Sequence, residues 1–228
     1  MRVLLLLTTA ALAIAEPVVI LDLVNARGGA GLPTGWKVRT MRGQRAPDIE
    51  VRDDGEGLLL RLSGTGRAGW FYRELAAEIP EARGTLRWSW RVSAAPLSAD
   101  MRVAALDDSP IRVYVVFGRS GFFRSAARII FYSAGNAEPA GLDRASFGSD
   151  KLHMIRMDGT AERSRWVDHA TDPFADYRRI WGGTPPGITA VGVMQDTDET
   201  RGHASADLRR LLWVPSDAAM GARPVTAP

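Results

Sequence analysis

Thr85-Leu-Arg-Trp-Ser-Trp-Arg-Val92 is the stretch that decides the fold. Leu86, Trp88, Trp90 and Val92 alternate with Arg87, Ser89 and Arg91. A period of two is that of a strand with one face in a core and the other in water. Both indoles keep company with Leu86 and Val92, so they read as core rather than as an exposed aromatic platform. Similar segments extend to either side. Upstream lie Val18–Val24, Trp36–Thr40, Ile49–Arg52, Leu58–Leu62 and Trp70–Leu75. Downstream lie Ile111–Phe117, Ile129–Tyr132, Leu152–Met157, Arg165–Asp168, Ile188–Met194 and Leu208–Val214. Gly, Pro and Asp separate them, as in Asp53-Asp54-Gly55. The expectation is an all-β, jelly-roll-like sandwich of about ten to twelve antiparallel strands. One short helix interrupts it: Asp172 caps, Pro173 opens, and Phe174–Trp181 runs to the stop at Gly182-Gly183.

The N-terminus reads as a secretory signal peptide over residues 1–15. A positive start at Arg2 precedes an apolar run, and Ala13 and Ala15 are the small residues that place cleavage after Ala15. The expected location is therefore periplasmic or secreted, with a single domain over 16–214 and a disordered tail over 215–228. No stretch reaches the roughly 18 apolar residues of a membrane span. Cysteine is absent, so the domain must be held by its core, and a chain of this length buries roughly 70% of its unfolded surface. The net charge is +3, from 29 cations and 26 anions, with only Lys37 and Lys151 as lysines. Those charges are dispersed, which argues against a nucleic-acid partner. Arginine instead suits carboxylate and phosphate groups of envelope polymers.

Polar residues cluster beside two strands. Asp196-Thr-Asp198-Glu-Thr200 follows an apolar strand, and Asp107-Asp108 precedes the strand that carries Arg112. Carboxylates at 196 and 198 followed by the Thr200 hydroxyl have the spacing of a hard-cation loop, making Asp196 and Asp198 candidate Ca²⁺ ligands. The EF-hand pattern fails, since Arg201 stands where it needs Gly and Asp207 where it needs Glu. The same residues also read as turn-forming side chains bonded to backbone, or as partners of Arg112. Three further ligand-facing candidates are Trp166, Tyr177 and Trp181, although Tyr177 and Trp181 at i and i+4 would equally fasten the helix to a sheet. Nucleophile elbows, zinc spacings and phosphate loops are missing from the sequence: Gly118-Arg-Ser-Gly121 does not fit the elbow, and His153, His169 and His203 are scattered.

Several of these residues together carry a resemblance. They are Leu86-Arg-Trp-Ser-Trp-Arg-Val92, Asp107-Asp108 with Arg112-Val-Tyr-Val-Val-Phe117, Ile130-Phe-Tyr132, Trp166, Asp176-Tyr177-Arg-Arg-Ile-Trp181-Gly182 with Pro185-Pro186, and Asp196-Thr-Asp198-Glu-Thr200. In order and spacing the chain resembles the bacterial domain-of-unknown-function family numbered 3047, from about Gly35 to Trp213. That resemblance implies an exported single-domain protein and leaves its activity open. The chain departs from the family's pattern at Ala134, Trp181 and Glu199, where an aromatic, Phe and Asn would be expected. A looser, architectural similarity is to jelly-roll carbohydrate-binding modules. The expected function is a non-catalytic module that binds a glycan or another envelope polymer. The alternatives are a hydrolase or lyase using Asp107, Asp108, Asp196 and Asp198, and a structural or protein-interaction domain.

Overall fold

The computed structural model describes residues 16–24, 29–40, 43–81, 83–118, 127–136 and 138–216. The expected signal peptide and most of the expected tail lie outside them. Two seven-stranded sheets face each other. The described strands are β1 (Val18–Val19), β2 (Gly29–Ala30), β3 (Lys37–Arg39), β4 (Asp48–Asp53), β5 (Leu58–Thr65), β6 (Ala68–Ile79), β7 (Gly84–Ala94), β8 (Ser109–Phe117), β9 (Arg128–Ala134), β10 (Asp143–Ala145), β11 (Leu152–Asp158), β12 (Val167–Thr171), β13 (Ile188–Asp196) and β14 (His203–Pro215). Sheet 1 runs β12-β7-β14-β5-β4-β2 with β1 on β14, and sheet 2 runs β10-β11-β9-β8-β13-β6-β3. The protein is an all-β sandwich. No helix among the described residues is long and apolar enough to cross a membrane.

Leu86, Trp88, Trp90 and Val92 all point into the core, at 0, 2, 0 and 7% exposure. They meet Ile111, Val113, Val115 and Phe117 from sheet 2 in one cluster. Sheet 2 has a second apolar layer on its outer face, where Trp70, Met101, Tyr114, Phe131, Met154 and Met194 pack. Every residue of β8 and of β13 is consequently buried, so neither strand shows a polar–apolar alternation. Among the described residues the outer face of sheet 1 is instead polar over its middle strands, with Arg61, Arg87, Ser89, Arg91, Asp207 and Arg209.

Helix α1 (Pro173–Trp181) forms as its sequence prescribes. Asp172 Oδ1 accepts from the Phe174 and Ala175 amides at 3.0 Å each, and Gly182 ends the helix at φ 71°. Phe174 and Tyr177 are buried beside Phe117 and Trp213.

Four expectations need correction. Among the described residues the strands number fourteen, and β9 pairs with β11 in parallel, not antiparallel. Short β10 carries almost no apolar pattern and owes its pairing to β11 alone. Only Val18–Val19 of the Val18–Val24 segment is strand. Ile20 and Leu21 leave the sheet because both amides converge on the Leu211 carbonyl, at 3.0 Å each. The last strand also continues to Pro215, opposite Gly84, and the Ser216 amide donates to the Arg83 carbonyl.

Candidate functional site

The two acidic pairs meet at one end of sheet 2. Asp196 ends β13 and lies opposite Ser109, which opens β8 directly after Asp107-Asp108. Antiparallel pairing of these strands is what brings residues 88 positions apart into one place. Arg112 is buried on β8 and spans the gap. Its Nη2 donates to Asp107 Oδ1 at 2.9 Å, and its Nη1 donates to Asp196 Oδ2 at 2.9 Å. Arg144 stands 3.7 Å from Asp107 Oδ2. Asp108 is 1% exposed and serves the neighbouring loop, accepting from the Thr200 amide at 2.9 Å and from the Thr200 hydroxyl. Thr200 is therefore a loop-fixing residue bonded to Asp108.

Oxygens of Asp108, Asp196, Asp198 and Glu199 all lie within 4.8 Å of one another. Burial pushes the Asp196 carboxyl well above the usual carboxylate range, with the Asp198 and Asp108 charges adding to it against Arg112. Burial and the neighbouring Asp198 and Asp108 carboxyls push Glu199 up to about 9. Such crowding does not suit a glycosidase pair, which must leave a sugar between its carboxyls. Asp107, Asp108 and Asp196 are also committed to Arg112 and Thr200.

The aromatic candidates separate. Tyr177 faces inward, 5% exposed, against Phe117, and its hydroxyl accepts from Arg128 at 2.7 Å. Trp181 packs on Tyr177 and donates from Nε1 to the Asp150 carbonyl at 2.9 Å. Both fasten α1 to the sandwich and neither stands on the open face of sheet 1. Trp166 does stand there, just before β12. The Arg91 and Arg209 guanidiniums lie 4.7 and 4.3 Å from its ring centroid.

Below Trp166 runs a charged row. Asp207, fully buried although on the outer face, accepts from Arg61 at 2.6 and 2.9 Å and from Arg91 at 2.7 and 3.1 Å. Arg91 and Arg209 both reach Asp54 as well. Next to this row the register of β14 against β7 slips between Arg209 and Leu212, and Arg210 takes φ 53°. A bulge of this kind turns two successive side chains to one face. Arg210 thereby donates to Ser89 Oγ and Asp168 Oδ1, both at 2.9 Å, and Ser89 in turn bonds Asp168. Together with Arg87 they rim an open groove of about 420 Å³ floored by Ala170, Leu212 and Val214.

Sequence reasoning did not single out Arg87, Ser89, Asp168 or Arg210. One signal was present: Leu208-Arg-Arg-Leu-Leu-Trp213 breaks the two-residue alternation, and a doubled Arg inside a strand marks a bulge.

The sequence profile described as "Protein of unknown function (DUF3047)" matches residues 34–212, and the chain belongs to that family. No curated protein matches it. Among solved structures it is similar to the family 11 carbohydrate-binding module of the cellulase Lic26A-Cel5E of Clostridium thermocellum. The identity is 10%, coverage 91% of this chain and 97% of that one, and the TM-score 0.48. It is similar to Trichoderma harzianum endoglucanase 3 of family GH12, with 10% identity, coverage of 90% and 96%, and a TM-score of 0.44. It is also similar to the Stig cyclase Fisc of Fischerella sp. TAU, with 8% identity, coverage of 88% and 100%, and a TM-score of 0.40. Likenesses this distant transfer no function.

Proposed function

We propose that this member of the DUF3047 family is an exported, non-catalytic module that binds a glycan or a similar polyhydroxylated envelope polymer in the groove beside β12. The observation that carries this reading is the Arg210–Asp168–Ser89 constellation over an apolar floor. Arg210 and Asp168 are 69% and 78% exposed, so their remaining donor and acceptor sites face solvent. A guanidinium that donates beside a carboxylate that accepts matches neighbouring sugar hydroxyls, each of which does both. The apolar floor suits the C–H face of a pyranose ring, and the groove has the size of a small-ligand site. Arg210 also holds a left-handed backbone, a conformation that costs a non-glycine residue on the order of 1 kcal/mol and tends to persist at functional positions. The charged row under Trp166 continues the same face and offers a polymer a longer track.

Affinity electrophoresis and calorimetry against a panel of envelope and plant polysaccharides test the reading. Retention by at least one polymer is expected, with tenfold or greater weakening in Arg210→Ala and Asp168→Ala at unchanged melting temperature. Equal binding by wild type and both variants, or no binding across the panel, refutes the groove. Release of new reducing ends would return the hydrolase alternative. Fractionation with N-terminal mass spectrometry tests export, and the mature chain should begin at Glu16.

A further inference from the structure

We propose that Asp108, Asp196, Asp198 and Glu199 bind one hard divalent cation, Ca²⁺, between the start of β8 and the loop after β13. This inference is independent of the glycan groove, which lies on the other sheet. Its first support is the inventory of charge. Five carboxylates, counting Asp107, crowd this end of sheet 2 beside the buried guanidinium of Arg112. Its two Nη groups are taken by Asp107 and by one oxygen of Asp196. Of these carboxylates Arg144 reaches Asp107, at 3.7 Å, and it also donates to the Met101 carbonyl.

The second support is an orphaned atom. Asp196 is 7% exposed, and its Oδ1 is buried with no donor, although its Oδ2 is fully engaged with Arg112. A buried carboxylate oxygen without a partner costs the desolvation of a charged group. Its neighbour here is another carboxyl, that of Asp198, which offers no donor when ionised. Something positive must sit between them.

Distance and ligand type select the ion. Ca²⁺ takes oxygen ligands at about 2.3–2.6 Å, so two oxygens on opposite sides of it stand about 4.6–5.2 Å apart. Four oxygens that all fall within 4.8 Å of one another can share that ion. Every ligand is a carboxylate, with no imidazole or thiolate to favour a softer metal. Half-exposed Asp198 and exposed Glu199 leave room for completing waters.

The experiment uses the full chain stripped with EDTA. Tb³⁺ excited through the protein's tryptophans should saturate at one ion per chain, and Ca²⁺ should displace it. At a hundredfold excess over its Kd, Ca²⁺ should raise Tm by roughly 5–10 °C. Asp198→Asn and Glu199→Gln touch neither Arg112 nor the Thr200 amide, so both variants should fold while binding Ca²⁺ at least tenfold more weakly. Unchanged Tm with Ca²⁺, Mg²⁺ and Mn²⁺ together with no Tb³⁺ saturation would overturn the site in favour of shared protons. Wild-type affinity in both variants would place the ion elsewhere, and tighter binding of Mg²⁺ than of Ca²⁺ would overturn the choice of ion.

Discussion

Trp90→Phe isolates one buried hydrogen bond that joins β7 of sheet 1 to β11 of sheet 2. The Trp90 ring is fully buried, and its Nε1 donates to Asp158 Oδ2 at 2.6 Å. Asp158 keeps only one other side-chain contact on that oxygen, His169 Nε2 at 3.2 Å. Phenylalanine keeps an aromatic ring beside Trp88 and His169, whose centroids lie 5.6 and 4.6 Å from the indole. It removes the N–H and the far part of the indole, leaving a small void worth about 1 kcal/mol. It also takes the indole donor from a buried carboxylate oxygen and leaves it with His169, at a cost of about 1–3 kcal/mol. The sum is about 2–4 kcal/mol. Trp90→Ala should cost about 3–5 kcal/mol for the lost ring, with the same lost donor on top. Urea unfolding followed by far-UV circular dichroism measures both, and unchanged m-values would confirm comparable end states. The decisive comparison repeats Trp90→Phe in an Asp158→Asn background, where the charge-assisted part should vanish and the cost fall to about 1 kcal/mol. An equal cost in both backgrounds would show that Asp158 does not depend on the indole. A loss below about 0.5 kcal/mol in the parent would refute the buried bond itself.

Three further outcomes are expected. Burial alone would push the Asp207 carboxyl up, but Arg61 and Arg91 outweigh it and hold it below its ordinary value. A depressed carboxyl contributes stability above the unfolded pKa of about 3.9 that is lost as pH falls through the folded value. The acid limb of a stability–pH curve below pH 4 should therefore be shallower in Asp207→Asn, and a superimposable limb would dismiss the pair. Arg112→Ala leaves Asp107 and Asp196 buried without their cation and should cost about 3–5 kcal/mol in chemical denaturation, whereas a loss under about 1 kcal/mol would mean that the guanidinium is not their main partner. Gly192→Ala would drive a Cβ into the Phe71 carbonyl oxygen and the Tyr114 ring on the neighbouring strands. Since β13 is buried on both faces, a cost of about 3 kcal/mol or loss of soluble protein is expected, and a near-neutral thermal melt would contradict that close approach.

What the sequence determined by itself was whatever a strand records along its own length. Alternation from Leu86 to Val92 set one face of β7 in the core, because the pleat sends successive side chains to opposite faces. Asp172, Pro173 and Gly182 bounded α1, because capping is satisfied within a few residues. The β-branched and aromatic run Ile111–Phe117 marked β8 as a strand, yet the second layer that covers its outer face, with Met101 and Met154, comes from distant segments. Parallel pairing of β9 with β11 was invisible for the same reason: it depends on how the intervening chain crosses over, and neither strand encodes that path.

The candidate sites divide along the same line. Asp107, Asp108, Arg112, Asp196 and Asp198 were legible as polar residues that a strand does not need. Only the β8–β13 register brought them together and assigned Arg112 to Asp107 and Asp196 while leaving Asp196 Oδ1 without a donor. Tyr177 and Trp181 read in sequence either as ligand-facing or as fastening the helix, and packing decided for the second, since an i, i+4 pair lies on one helix face and α1 turns that face to the sandwich. The groove of Arg87, Ser89, Asp168 and Arg210 draws on three strands and one bulge. No single segment contains it, so it came into being only when β12, β7 and β14 paired.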